Sequence, residues 1–179
     1  MVIKQIDHSR ARMKCRNDSG QALVEFALSA VLMLSVVFAI IDFSRALHDL
    51  QIITNLTGEG SAMASRGITL TDTAAAVVAA SSPLNLGAST NGKVIVSAVY
   101  SDITKLTLTG QASQGGITAS SKVGTTINGT ATLPSNAIPP VGQTVYVTEI
   151  YYSYKSITPL GTILTNLVLP SKLYDVAYY

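Results

Sequence analysis

Cysteine occurs once in this 179-residue chain, at Cys15, so neither an intramolecular disulfide nor a multi-cysteine metal site can form. Only two histidines are present, His8 and His48, which leaves few acid–base or metal-ligating constellations. Charge is scarce: Asp, Glu, Lys and Arg make up 12% of the chain, against about 25% in an average soluble domain. The net charge of +2 gives no broad phosphate-binding surface, so nucleic acid is not an expected partner. A hydrophobic share of 47% argues equally against intrinsic disorder. No nucleotide-binding glycine loop, zinc spacing or nucleophile elbow occurs. His48 and Asp49 are adjacent in sequence, and adjacent helical residues do not face each other, so they make no ready-made acid–base pair. No catalytic residue, cofactor, metal or small-molecule substrate is expected.

What is there is unevenly distributed. Residues 1–20 hold Lys4, Arg10, Arg12, Lys14 and Arg16 against Asp7 and Asp18, a net +3. The remaining 159 residues hold seven basic and eight acidic side chains, a net −1. The positive balance of the whole chain therefore belongs to a short leader. After Gln21-Ala22-Leu23-Val24-Glu25 come sixteen uncharged residues, Phe26 to Ile41, ended by Asp42. Sixteen helical residues span about 24 Å, short of the roughly 30 Å hydrocarbon core. Adding Gln21–Val24 reaches a spanning length and places Glu25 in or near the hydrocarbon.

Three readings compete for this segment. A secretory signal peptide would have the same basic and apolar regions. However, the residues after Ile41 are Asp-Phe-Ser-Arg, with no small-x-small cleavage site. A plain membrane anchor would put the basic leader in the cytoplasm and residues 42–179 outside, by the positive-inside rule. The third reading turns on Glu25, because a carboxylate in a membrane helix costs about 2.5–3.5 kcal/mol at the helix centre and marks a functional position.

The junction reads Arg16-Asn17-Asp18-Ser19-Gly20, then Gln21-Ala22-Leu23-Val24-Glu25-Phe26. A basic leader, a glycine, a glutamate five residues on, an aromatic and an apolar helix together resemble the type IV prepilin processing motif, in its type IVb form. The stretch SGQALVEFALSAVLMLSVVFAIIDFSRAL is similar to the TadE/TadG-like pseudopilins of the Flp (Tad) pilus system. That resemblance implies cleavage between Gly20 and Gln21 by a membrane aspartyl prepilin peptidase. Gly20 suits the task, since it has no side chain to obstruct an extended backbone in a protease cleft. Cleavage would leave an amine on Gln21. Glu25 lies one turn away, able to neutralise that amine or one on a neighbouring subunit. Such pairing would relieve the cost of the charge and favour one axial register. Other pilins or pseudopilins and the Tad inner-membrane assembly machinery are the implied partners. The chain continues for more than 130 residues beyond the anchor, unlike the very short major Flp pilins, which favours a minor component.

Beyond the anchor, Phe43, Ala46, Leu47, Leu50 and Ile53 recur at helical spacing as one apolar stripe, with Arg45 and Asp49 on the other side. Gly58 to Gly67 is rich in small residues, with Gly67 a C-cap and Arg66 resembling the arginine of a family Gly-Ala-Arg segment. Thr71 reads as the N-cap of a short helix over 72–81 that packs on a sheet. From Lys93 the period changes to two, with Ile103 to Thr109 as a partner strand. Residues 109–143 are Gly, Ser, Thr, Asn and Pro rich and read as loops with at most one short hairpin, not as core. Gln143 to Ser156 is the strongest strand, with Tyr146, Thr148, Ile150, Tyr152 and Tyr154 as its core face. Residues 161–170 read as a short helix or apolar loop, and Lys172 to Tyr179 as a closing strand. Seven of the eight tyrosines lie between 146 and 179, as a cross-strand aromatic ladder would place them.

The expected fold is α+β: a long N-terminal pilin-like helix followed by a small domain with an antiparallel sheet and short helices. The expected divisions are a leader at 1–20, a transmembrane helix with extension at 21–66, and a periplasmic domain at 67–179. The expected site residues are Gly20 and Gln21 for processing, Glu25 for charge pairing and Phe26 beside it. The expected location is the bacterial inner membrane, with the N-terminus cytoplasmic and the C-terminal domain periplasmic. A bitopic binding module with an uncleaved anchor is the alternative.

Overall fold

The computed structural model describes residues 8–134, 137–159, 161 and 171–179, with side chains from Gly20 onward. The first seven residues, and the apolar stretch expected over 161–170 apart from Gly161, lie outside the described residues. The architecture is α+β: one long helix, a short one, and a four-stranded antiparallel sheet.

Helix α1 spans His8–Ser65. Its end is set by Gly67 at φ +91°. Gly67 N donates to Ala64 O at 3.1 Å and Ile68 N to Met63 O at 3.4 Å, the paired bonds of a Schellman cap. Helix α2 spans Leu70–Ala79 and is capped by Thr69, not Thr71. Thr69 Oγ1 accepts from Asp72 N at 3.1 Å and donates to Asp72 Oδ2 at 2.7 Å. Asp72 three residues on makes that exchange reciprocal, and this fixes the start two residues earlier than expected.

The strands are β1 Gly92–Ser101, β2 Leu106–Gly115, β3 Thr144–Ser153 and β4 Lys172–Tyr178. They lie in the order β2-β1-β3-β4, and every neighbouring pair is antiparallel. Strand β2 runs six residues past the expected Thr109, because a bulge opposite Ala98 and Val99 absorbs Thr109 and lets pairing continue. Gly115 and Gly116 are required where the chain leaves β2. A Cβ on Gly116 would lie 2.1 Å from Ser89 Cα, and one on Gly115 2.4 Å from Gly92 O.

Both faces of the sheet are covered. Helices α1 and α2 cover one, over Val94, Val96, Ile150, Tyr154 and Leu173. The polar stretch after β2 covers the other, and here the expectation that it adds nothing to the core fails. Val123, Ala131 and Leu133 are buried against Val99, Leu108, Val145 and Val147. The expected core face of β3 is buried, and so is the opposite face. A composition dominated by Gly, Ser and Thr hides three apolar residues spaced widely enough to form a thin second layer.

The apolar stripe of α1 is rotated from the expected one. Phe43 and Leu47 are 51% and 46% exposed, while the buried side carries Asp42, Ala46, Asp49, Ile53, Leu56, Thr57, Gly60, Ser61 and Ala64. Two carboxylates sit on the packed side, where hydropathy alone would not put them.

Candidate processing and assembly site

The expected site residues lie on the first exposed turns of α1. Gly20 is exposed, and a Cβ there would have no neighbour within 4 Å. Gln21 Nε2 donates to Glu25 Oε1 at 3.0 Å, an i,i+4 bond on the open helix surface. Phe26 is 73% exposed. The helix is continuous from His8 through Gly20, so residues 20 and 21 are helical rather than extended.

From Gly20 to Ile41 no residue is buried, although Leu23, Val24, Phe26, Leu28, Val31 and Leu32 are all large and apolar. Those 22 residues rise about 33 Å at 1.5 Å each, matching a hydrocarbon core of about 30 Å. Among the described residues, this is the one helix long and apolar enough to cross a membrane.

The globular head begins at Asp42, and the head grips the helix through it. Asp42 is fully buried. Its carbonyl accepts from Tyr154 Oη at 2.8 Å, and its Oδ1 from Ile157 N at 3.2 Å. Its Oδ2 accepts from the Thr158 hydroxyl. Two turns on, burial pushes the Asp49 carboxyl above its ordinary range, against the pull of Arg45, His48 and the Tyr152 hydroxyl. Higher still, Thr57 Oγ1 donates to Asp175 Oδ2 on β4 at 2.6 Å. Gly60 then lets the helix backbone approach the sheet; a Cβ there would lie 2.8 Å from Thr148 Oγ1.

That small-residue surface belongs to a segment with a known likeness. The family model described as TadE-like protein matches residues 20–62. This segment is TadE-like. The match starts at Gly20, contains Gln21, Glu25 and Phe26, and runs through the exposed stem into the packed part of α1. Arg66, expected to match a family arginine, lies four residues beyond the TadE-like segment and is exposed. No curated protein and no solved structure matches the chain.

A second polar centre escaped the sequence reading. Glu149 is fully buried in the middle of β3. It accepts from the Ser121 hydroxyl, from Lys122 N at 2.9 Å and from Tyr174 Oη at 3.0 Å. Tyr151 Oη lies 3.3 Å from Glu149 Oε1 and 2.8 Å from Ser120 O. Lys122 Nζ stands 3.5 Å from the centre of the Tyr174 ring, and the Tyr151 and Tyr174 rings are 4.8 Å apart. The aromatic ladder is thus realised in this pair, with a carboxylate beneath it. Burial, and then the Glu149 charge, push Tyr151 up to about 12 and Tyr174 upward as well. With two of its donors supplied by one short loop, Ser121 and Lys122, Glu149 pins that loop to the sheet, and the only sequence signal was a lone carboxylate in an alternating strand. Among the described residues no three His, Cys, Asp or Glu side chains gather as a metal site would require.

Proposed function

We propose that this chain is a minor pilin or pseudopilin of a Flp/Tad-type type IVb pilus, cleaved after Gly20 by a prepilin peptidase and acting in pilus initiation, assembly or capping. The observation that carries the reading is the TadE-like match beginning at Gly20 over a stem whose apolar residues are exposed on every side. Such a surface is unstable in water and needs lipid or neighbouring helices around it. In this reading the stem sits in the bacterial inner membrane, the basic leader stays cytoplasmic, and the head lies in the periplasm.

Cleavage of a helical site requires local unwinding. Asn17, Asp18, Ser19 and Gly20 are weak helix formers, so the turn before the cut is the cheapest one to open. The cut would place a new amine next to the Gln21–Glu25 pair. Glu25 would then exchange its amide partner for a cation, its own or that of a neighbouring subunit, which removes an unpaired charge from the apolar bundle. The role is structural rather than catalytic, with prepilin peptidase, other pilins and the Tad inner-membrane machinery as partners. Intact mass of the membrane-extracted protein tests the cleavage directly.

A further inference from the structure

Among the described residues no further strand pairs with the two edges of the sheet, β4 and β2, and these fit each other in direction, register and height. Tyr154 bonds to Asp42 at the stem end of the head, while Thr148 abuts Gly60 farther up α1. Strand β3 therefore runs back toward the stem. With all pairs antiparallel, β1 and β4 run away from the stem and β2 toward it. Two copies standing side by side with parallel stems thus bring β4 of one against β2 of the next in antiparallel sense. Two β4 edges could meet in that sense only if one copy were inverted.

The hydrogen-bond phase agrees. Tyr146 and Tyr179 exchange both backbone bonds, at 3.0 and 2.9 Å, and Tyr154 N bonds to Ser171 O. The alternation of an antiparallel ladder then turns the N–H and C=O groups of Tyr174, Val176 and Tyr178 outward. On the other side, Ser153 N bonds to Asn91 O and Gly116 N to Gly92 O. These fix odd residues of β1 toward β3 and even ones toward β2, so Gln111, Ser113 and Gly115 point their backbone groups outward. None of these outward groups has a backbone partner among the described residues.

Following the register across the sheet, Tyr174 is level with Gly115, Val176 with Ser113, and Tyr178 with Gln111. Outward groups therefore stand opposite outward groups with no axial shift, and side chains keep their faces. The upper part of β2 has no β4 counterpart at its level, and that part is already occupied. Leu108 N bonds to Gly129 O at 3.0 Å and Ala131 N to Leu106 O at 2.9 Å. The loop cap stops where the β4-matching stretch starts. Lower β2 carries no proline or lysine and, among the described residues, no backbone partner on its outer side, so it lacks the devices that usually protect an edge.

We infer that β4 of one copy pairs with β2 of a second copy of this chain, joining heads into one continuous antiparallel sheet. The contact is head-to-tail, so it propagates into a ring or filament rather than closing as a dimer. The inference rests on the anchored, upright orientation of the proposed function, but not on cleavage.

Ala177 and Ala112 are level and would form a non-hydrogen-bonded pair across the new contact, with Cα atoms about 4.5 Å apart, close enough for a disulfide. Within one copy these edges are three strand spacings apart, about 14 Å, which excludes an internal bridge. The full-length chain with Cys15→Ser is expressed in membranes and oxidised. The double variant Ala112→Cys/Ala177→Cys is expected to give a ladder of dimers, trimers and larger species. The two single variants co-expressed should give dimers only, and each alone should stay monomeric. Val176→Pro added to the double variant removes one outward N–H without touching the β3 ladder and should abolish the ladder of species. Absence of the ladder in a membrane-held chain with a protease-resistant head overturns the inference. So do dimers from Ala177→Cys alone, which would mean β4 against β4, or a cross-link to a protein of another mass. Intact mass on the same sample reports cleavage separately, since uncleaved anchored copies stand equally upright.

Discussion

The Tyr154 hydroxyl donates to the Asp42 carbonyl at 2.8 Å, across 112 residues of sequence. The bond marks the level at which the bare stem becomes a packed helix. Asp42 also holds Ile157 and Thr158, so one residue ties the loop after β3 to the helix. Asp42→Ala should remove the carboxylate partner of these part-buried donors and cost about 0.5–1.5 kcal/mol per lost bond. Thermal unfolding of the detergent-extracted protein should show the loss, and limited proteolysis should find new cleavage near 155–159. An unchanged midpoint would mean that the carboxylate does not anchor the loop.

Gly60 and Gly58 make a matched pair for testing how α1 meets the sheet. A Cβ on Gly60 would come within 2.9 Å of Thr148 Cγ2 and 3.0 Å of Val77 Cγ2, whereas one on Gly58 would meet nothing within 4 Å. Gly60→Ala should destabilise by about 1–3 kcal/mol through overpacking. Gly58→Ala should be neutral or stabilising by up to about 1 kcal/mol, from helix propensity. Equal effects in chemical denaturation would contradict the close approach.

Much of this was legible in the sequence. The anchor, the helical extension, the Gly67 cap, the change to period two at Lys93 and the strong third strand all rest on local signals. Three features were not. The buried stripe of α1 is rotated because Asp42 and Asp49 are paid for by distant hydroxyls and amides, which hydropathy does not see. The end of β2 was missed because a bulge restores a register that period counting loses. The second core layer depends on Val123, Ala131 and Leu133, isolated apolar residues whose partners lie in other strands. The proposed processing and pairing residues Gly20, Gln21, Glu25 and Phe26 come from spacing and family likeness, whereas the buried cluster around Glu149 had no such signal.

Alkaline pH should unfold the head through the tyrosines above Glu149. Burial raises the Tyr151 pKa from 10.0 to about 12, and Tyr174 shifts the same way. In the unfolded chain these phenols ionise first, so the folded state binds more protons over that interval. Stability is therefore full below pH 10 and declines as pH rises toward 12. Glu149→Gln removes the neighbouring charge and should lessen that decline. The check is chemical denaturation repeated across the alkaline range, with tyrosinate absorbance followed in parallel. A variant with the same slope as the parent would remove Glu149 as a cause.

Glu25 carries the assembly half of the proposal. Glu25→Ala should leave cleavage after Gly20 largely intact and impair pilus assembly, because the amine on Gln21 loses its counter-charge in an apolar bundle. Piliation counted by electron microscopy is the readout. Normal piliation in the mutant would remove the pairing role.

The most direct measurement is the intact mass of the protein extracted from membranes of a strain with active prepilin peptidase. A chain beginning at Gln21 is the expected result, lost again when the peptidase is deleted. A chain still beginning at Met1 in the active strain would contradict the processed-pilin account.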